Sequence, residues 1–250
     1  HKLTIDEVGD ARAIARAGAG TNNVPVTDCT ERGVVVFNTP GANANAVKEL
    51  VLCGLLLASR GIIPGIAFAK SQAHLSDHAE LSKLMEQEKK RFAGSEIAGK
   101  TLGVIGLGAI GSLVAEMAIG LGMKVNGFDP ALSVEAAWRL PSKVKRIENL
   151  GSLVASSDFI TLHLPAIEAT RGLINNEIFN AMRPGTSLIN FARDEIVDAE
   201  ALLRALDAKK LGRYVCDFPR HELIGRDDVI AMPHIGASTR EAEENCAIMA

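Results

Sequence analysis

The segment that most constrains the fold is residues 106–111, whose glycines have the spacing G-x-G-x-x-G. A short aliphatic run, Thr101–Ile105, predicts a buried strand before it, and residues 109–121 predict an apolar helix after it. A strand, a tight glycine turn and a helix in this order are typical of a dinucleotide-binding βαβ unit. Gly106 permits the turn, Gly108 lets the backbone approach a pyrophosphate, and Gly111 brings the helix against the strand. The alternative is a glycine-rich turn of an ordinary α/β protein.

An acidic residue at the expected distance strengthens the dinucleotide interpretation. Asp129 follows the next predicted strand, Lys124–Phe128, and lies 18 residues after Gly111. A carboxylate there accepts hydrogen bonds from the adenosine ribose and repels a 2′-phosphate, so we expect NAD rather than NADP. The earlier cluster Gly18-Ala19-Gly20 does not repeat the motif, because Asn23 occupies the third glycine position. That cluster is either an anion-holding loop or a plain turn.

The rest of the chain alternates short aliphatic runs with longer helical patterns, which predicts βαβ units and a parallel sheet. We therefore predict an α/β fold with a doubly wound parallel sheet, a Rossmann-type NAD-binding domain. Further strands are predicted at 33–37, 159–163, 186–190, 214–216 and 229–231, and helices at 44–59, 72–92, 150–155 and 199–208, with a last helix beginning after Ser238.

Composition excludes several classes of protein. The chain has 27 basic and 30 acidic side chains, and only 4% of its residues are aromatic, so it carries no basic surface or base-stacking platform for nucleic acid. No uncharged run reaches the length of a membrane span. The cysteines include no C-x-x-C pair, which predicts reduced thiols and a cytoplasmic protein; they are Cys29, Cys53, Cys216 and Cys246.

For the other notable polar residues we expect structural or solvent-exposed roles. His74 and His78 are four apart on the predicted helix but lack a third ligand nearby, so we expect no metal site. His163 ends a predicted strand, where we expect a structural role. The run 89–91 is predicted to be a solvated helix end, or alternatively to reach a phosphate in a neighbouring subunit. The helix at 44–59 has more leucines than one buried face needs, which favours a homodimer.

Three side chains suited to acid–base chemistry follow predicted strands. Arg193 follows one strand, Glu222 lies five residues after Asp217, and His234 follows the last strand. Ligands of open α/β sheets bind at the carboxyl ends of strands, so all three belong to the correct edge. A proton carrier, a group to orient it and a cation for a carboxylate are what hydride chemistry on an acid requires. Singly, Arg193 and Glu222 could be surface charges, and His234 a buried hydrogen-bonded histidine.

Taken together, these motifs resemble the D-isomer-specific 2-hydroxyacid dehydrogenases. The resemblance is carried by the glycine loop with Asp129 and by segments 190–193, 217–222 and 233–236. Segments 16–20, 37–44 and 234–244 are most similar to members that act on 3-phosphoglycerate. The resemblance implies an NAD-dependent enzyme that interconverts 3-phosphoglycerate and 3-phosphohydroxypyruvate in serine biosynthesis. The alternatives are a D-lactate or hydroxypyruvate/glyoxylate reductase, or an NAD-binding dimerisation module without turnover.

The resemblance also implies roles for individual residues. The catalytic residues would be Arg193, Glu222 and His234, with His234 exchanging the substrate's proton, Glu222 holding the imidazole and Arg193 binding the carboxylate. The further cofactor contacts would be Ala109, Ile110, Asp129, Pro165, Thr170, Phe191, Ala192, Asp217 and Gly236. We also expect substrate contacts from Gly18, Ala19, Gly20, Asn43 and Arg193.

The resemblance also predicts how the chain is divided. Residues 1–39 would be the remaining part of a flavodoxin-like substrate domain that begins before His1 in the family. Residues 40–236 would form the NAD-binding domain, and 237–250 would begin the helix that returns to the substrate domain. We therefore expect these 250 residues to bind NAD(H) but to turn over 3-phosphoglycerate poorly. Asp194 departs from the family, which commonly has glycine there, and adds negative charge near the expected anion site.

Overall fold

The computed structural model describes residues 3–18, 20–21, 23–138 and 140–250. The first part is a small βαβ unit in which two parallel strands pair from Ala13 opposite Val35 to Arg16 opposite Asn38. Its strands are β1 (Ala13–Arg16) and β2 (Val35–Asn38), and its helices are α1 (Ile5–Val8) and α2 (Val26–Glu31). A separate small core, built around Val8, Cys29 and Val34, stabilises this unit.

The second part is a seven-stranded sheet with the order β5-β4-β3-β6-β7-β8-β9, in which every neighbouring pair is parallel. Its strands are β3 (Thr101–Ile105), β4 (Lys124–Phe128), β5 (Val144–Arg146), β6 (Phe159–Leu162), β7 (Thr186–Asn190), β8 (Leu211–Cys216) and β9 (Val229–Ala231). The central strands are buried on both faces, which explains their continuous apolar runs. This topology confirms the predicted doubly wound parallel α/β fold.

Helices cover both faces of the sheet and complete two cores. On one face α3 (Ala44–Ser59) and α6 (Ala109–Gly120) pack over β3, β7 and β8. On the other, α8 (Leu150–Ala155), α9 (Asn176–Ala181) and α10 (Ala199–Asp207) enclose a larger core. The remaining helices are α4 (Ile62–Ser71), α5 (His78–Glu88), α7 (Val134–Trp138) and α11 (Arg240–Met249). Because α11 packs against α3, the end of the chain lies on the first face.

Most predicted elements match the structure within one or two residues, but the helix predicted at 72–92 is wrong. The chain instead forms α4, a break at residues 72–77, α5, and a 3-10 turn, Lys89–Phe92. Asp77 causes the restart, because its carboxylate accepts hydrogen bonds from the amides of Ala79 and Glu80. His74 lies within the break and His78 begins α5, so the two histidines do not share one helix.

The described residues contain no group of three potential metal-ligating side chains. Within the same residues no single helix is long and apolar enough to cross a membrane, although α3 and α4, bent by 69° relative to each other, meet that test as a pair. Several leucines of α3 pack partly against the core of this chain, which accounts for its apolar character in part. The homodimer and the division into domains stay predictions.

Candidate active site

The glycine loop lies at the topological switch point, where β3 is flanked by β4 on one side and β6 on the other. Gly106 has a φ of +91°, and a side chain there would place its Cβ 2.5 Å from the carbonyl oxygen of His163. A Cβ on Gly111 would lie 1.9 Å from the carbonyl oxygen of Gly106, so α6 can approach β3 only with glycine at this position. A Cβ on Gly108 would meet nothing within 4 Å, which leaves the N-terminal end of α6 open. Ala109 and Ile110 form the first turn of that helix.

Asp129 fixes the glycine loop and faces a cavity. Its Oδ2 accepts a hydrogen bond from the amide of Leu107 at 2.8 Å, and its Oδ1 accepts one from Ala131 at 2.9 Å. Asp129 also lines a cavity of about 810 Å³ together with Leu107, Pro130 and Leu132. An open helix N-terminus beside a carboxylate-lined apolar cavity fits the pyrophosphate and adenosine of NAD.

The loops after β6 and β7 contain the next predicted cofactor contacts. Thr170 closes the loop after β6, because its hydroxyl donates to the Pro165 carbonyl and accepts from the amide of Ile167. The Phe191 side chain is buried against α3, and its ring would lie 3.2 Å from a Cβ added to Gly54. The Phe191 ring therefore points away from the site, and the backbone of this residue is the part left to face it.

Arg193 is presented by a loop that Asn190 holds in place. The Asn190 side chain is fully buried, donates to the carbonyl of Arg193 at 2.9 Å and accepts from the amide of Ala192 at 3.1 Å. The Arg193 guanidinium donates to the carbonyl of Ala192 at 2.6 Å. Asn190 is a supporting residue of the site for which we predicted no role from the sequence. The signal in the sequence that could have identified it is a side-chain amide at the end of a predicted buried strand.

Asp217 fixes the loop that carries His234. Its carboxylate is buried and accepts hydrogen bonds from the amides of Ile235, at 2.8 Å, and Gly236, at 2.6 Å. Such charge-assisted bonds hold the loop firmly, and they hold His234 at a positive φ of 57° that non-glycine residues rarely adopt. The exposed His234 ring stands edge-on to Phe218, with centroids 5.3 Å apart. The structure therefore shows Asp217 and Gly236 supporting His234, and their cofactor contacts stay predictions.

Glu222 lies in the loop after β8 and has an exposed side chain. Within the described residues no hydrogen bond or ion pair joins Glu222 to His234, so their predicted contact is not formed in this structure. The three predicted catalytic residues nevertheless follow β7, β8 and β9, which are adjacent strands ending at one edge.

The position of Asp194 in the sequence suggested an unpaired negative charge beside Arg193, but the structure shows that this carboxylate is paired. It accepts three hydrogen bonds from the guanidinium of Arg220. These hydrogen bonds also raise the pKa of Arg220 above its ordinary value. The sequence gives no signal for Arg220, since nothing local relates two residues 26 positions apart.

Apart from Arg193, the predicted substrate contacts fall between β1 and the start of α3 along the chain. The amide of Gly18 donates to the hydroxyl of Thr39 at 2.8 Å, which ties this turn to the end of β2. Gly20 follows in a loop. Ala19 lies outside the described residues. Asn43 precedes α3, and its buried Oδ1 has no hydrogen-bond partner in the described part of the chain.

The backbone of His163 packs directly against Gly106 of the glycine loop. Its Nε2 lies 2.9 Å from the hydroxyl of Thr161, while its buried Nδ1 has no partner among the described residues. Burial lowers the pKa of His163 to about 3, so the imidazole is neutral at physiological pH. This agrees with the predicted structural role.

The fold and the glycine loop define a dinucleotide-binding enzyme domain of the doubly wound class. Comparison with known families is more specific: the NAD-binding domain of the D-isomer-specific 2-hydroxyacid dehydrogenases matches residues 65–236, and the chain belongs to this family of oxidoreductases. The confirmed resemblance identifies NAD as the cofactor of this domain.

Individual relatives differ in their substrates. The chain is 37% identical to D-3-phosphoglycerate dehydrogenase of Rattus norvegicus over 98% of its own length, but it spans only 45% of that relative. It is 39% identical to hydroxypyruvate reductase of Thermotoga maritima, and this match covers 99% of the chain and 78% of the relative. The chain thus spans less than half the length of the phosphoglycerate dehydrogenases it matches.

Solved structures of the family have the same fold. D-mandelate dehydrogenase of Rhodotorula graminis, in its holo form, superposes with a TM-score of 0.79 at 29% identity, covering 95% of this chain and 69% of that one. D-lactate dehydrogenase of Aquifex aeolicus, complexed with NAD and lactic acid, gives a TM-score of 0.78 at 25% identity over 98% of this chain and 76% of that one.

Proposed function

We propose that this chain is the catalytic and NAD-binding part of a D-2-hydroxyacid dehydrogenase whose substrate is 3-phosphoglycerate. The observation that carries the proposal is the placement of Arg193, Glu222 and His234 after three adjacent strands, at the edge where the glycine loop opens. The relatives named D-3-phosphoglycerate dehydrogenase support the substrate, since they match almost the whole chain.

NAD, when bound, supplies the nicotinamide that accepts or returns a hydride at the substrate's C2 carbon. Gly108, Ala109 and Ile110 bind its pyrophosphate through backbone amides, and Asp129 binds the adenosine ribose. Pro165, Thr170 and the backbone of residues 191–192 line the remainder of the cofactor site. Asp217 and Gly236 set the position of the loop that closes it.

The catalytic residues bind the substrate and transfer its proton. Arg193 binds the substrate carboxylate and polarises the oxygen on C2 through its guanidinium. The His234 imidazole removes the hydroxyl proton during oxidation and returns it to the ketone during reduction. Glu222 stabilises the charged imidazole, which requires its carboxylate to move towards His234 when substrate is bound. Asn43 and the turn at Gly18 and Gly20 contact the substrate from the other side.

A second candidate substrate is hydroxypyruvate, which a specific observation favours. This chain covers 78% of the length of the hydroxypyruvate reductase of Thermotoga maritima. It covers only 45% of the length of the rat D-3-phosphoglycerate dehydrogenase. We also propose a homodimer, which rests on the apolar residues of α3, and a cytoplasmic location, which rests on the unpaired cysteines. A role in serine biosynthesis rests on the family resemblance.

A substrate panel tests the proposal. NADH formation is measured with 3-phosphoglycerate and with D-lactate, and NADH consumption with 3-phosphohydroxypyruvate and with hydroxypyruvate. We expect kcat/KM to be highest for the phosphorylated pair. A preference for hydroxypyruvate would reassign the substrate. NADH binding with no turnover of any acid, both by these 250 residues and by a chain that includes a complete substrate domain, would support a dimerisation module instead.

A further inference from the structure

An ion pair joins the loops that carry two of the proposed catalytic residues. Asp194 begins the 3-10 turn after β7, and Arg220 lies in the loop after β8. The Arg220 Nε donates to both carboxylate oxygens of Asp194, at 3.0 and 2.9 Å, and its Nη2 donates to Oδ2 as well. About a third of each side chain is exposed, 34% for Arg220 and 32% for Asp194. A multiply hydrogen-bonded, half-buried pair is held more rigidly than an ordinary surface ion pair.

Each member of the pair is close in sequence to a charge that the reaction needs. Asp194 is the residue after Arg193, and Arg220 lies two residues before Glu222. The charge of Glu222 contributes, after the contacts with Asp194, to the raised pKa of Arg220, so the two side chains are within electrostatic range. Asp194 is thus adjacent in sequence to the cation that would bind the substrate, and Arg220 is close in sequence to the carboxylate that would hold His234.

We propose that Asp194 and Arg220 are positioning residues that neutralise each other, which leaves Arg193 available to the carboxylate of a 2-hydroxy acid and Glu222 available to His234. This inference rests on the proposed function. If Arg220 were removed, the Asp194 carboxylate would compete with the substrate for Arg193. If Asp194 were removed, Arg220 would pair with Glu222. We expect loss of either charge to change the affected constant about five-fold, which corresponds to about 1 kcal/mol.

The inference predicts opposite kinetic effects for the two single variants. Arg220→Gln should raise KM for the acid about five-fold while kcat changes by less than about two-fold, because the unpaired charge weakens substrate binding. Asp194→Asn should instead lower kcat about five-fold, because Glu222 is withdrawn from His234. The double variant should restore both constants to within about two-fold of the wild type, since it leaves neither charge unpaired.

A matched control removes a similar pair at a different place. Arg226 lies in the same loop and donates to both oxygens of Asp228, at 2.9 and 3.0 Å, and to Asp207 at 2.8 Å. Among the described residues, none of these side-chain bonds reaches the proposed site. Arg226→Gln should leave KM and kcat unchanged. If the two single variants of Asp194 and Arg220 change the same kinetic constant by the same factor, and the double variant is no better than either, the pair is merely structural and the proposal is wrong.

A binding measurement separates this proposal from the proposed function. Oxalate, a dicarboxylate that mimics a 2-oxo acid, is titrated into the NADH complex of the full chain by fluorescence. Arg193→Gln should abolish oxalate binding, and Arg220→Gln should weaken it about five-fold. If Arg193→Gln abolishes binding while Arg220→Gln leaves it unchanged, the pairing proposal is wrong and the function stands. If the wild-type chain neither binds oxalate nor turns over any acid, both are wrong.

Discussion

At the scale of single residues, the site depends on carboxylates that hold backbone amides. Asp129 accepts from Leu107 and Ala131, and Asp217 accepts from Ile235 and Gly236. Each carboxylate thereby fixes a loop at the edge of the sheet, because charge-assisted hydrogen bonds are about twice as strong as neutral ones. Asp129 also places a negative charge beside the cavity, and this charge favours NAD over NADP.

Asp129 predicts discrimination between NADH and NADPH. The carboxylate accepts hydrogen bonds from ribose hydroxyls and repels a 2′-phosphate, so NADH should bind at least about ten-fold more tightly than NADPH. Titration of both cofactors by fluorescence measures the ratio. In Asp129→Asn the repulsion is removed while the amide oxygen can still accept from Leu107, so the ratio should fall. Equal affinities in the wild-type chain would contradict this role of Asp129.

The sequence identifies charged site residues better than it identifies their supports. Arg193, Glu222 and His234 each follow a predicted strand, so their location at one edge follows from the parallel topology alone. The contact between Asp194 and Arg220 spans 26 positions and depends on two loops meeting in space. No local pattern encodes such a contact. The contacts of Asn190, by contrast, reach only two and three residues along the chain.

At the scale of elements, buried strands were the easiest to predict. β6 and β7 are buried at every position, which requires continuous apolar or small side chains. β5 was missed because it is a short edge strand with exposed Lys145 and Arg146. α4 was missed because Pro64 suggests a break, whereas it lies in the first turn of the helix, where proline is tolerated.

The start of α6 gives a prediction about two neighbouring glycines. A Cβ on Gly111 would overlap the Gly106 carbonyl, so Gly111→Ala should displace the loop, lower the melting temperature and weaken NADH binding. Gly108→Ala meets no atom within 4 Å and should leave the melting temperature almost unchanged. It should still weaken NADH binding, because the methyl group occupies space that the pyrophosphate approaches.

Thermal unfolding and NADH titration of both alanine variants check these expectations. Unchanged NADH affinity in Gly108→Ala would show that the cofactor does not approach this backbone. A Gly111→Ala variant as stable as the wild type would show that α6 can move away from β3 without cost.

At the scale of the whole molecule, the buried imidazole of His163 makes stability depend on pH. Its pKa is lowered to about 3 in the folded protein, against about 6.5 in an unfolded chain. Between these values the unfolded state binds a proton that the folded state does not, so the free energy of unfolding falls as the pH falls. The slope approaches about 1.4 kcal/mol per pH unit, which amounts to about 2 kcal/mol between pH 7 and pH 5.

His163→Asn isolates this contribution, because the amide can still bond Thr161 but does not titrate. Urea denaturation at pH 7 and pH 5 gives the free energy of unfolding of the wild type and of the variant. The difference between the two pH values is the stability that each protein loses on acidification. The wild type should lose about 2 kcal/mol more than the variant. Equal losses would mean that His163 is protonated, or accessible to protons, in the folded state.

The proposed function requires that this edge of the sheet binds NAD and that His234 transfers the substrate's proton. A comparison of wild type and His234→Asn tests both requirements, through NADH affinity and NADH-dependent reduction of 3-phosphohydroxypyruvate. We predict a loss of about 10²- to 10⁴-fold in kcat, with the NADH dissociation constant unchanged within about two-fold. Near-normal turnover in His234→Asn would contradict the role of His234 as the proton carrier.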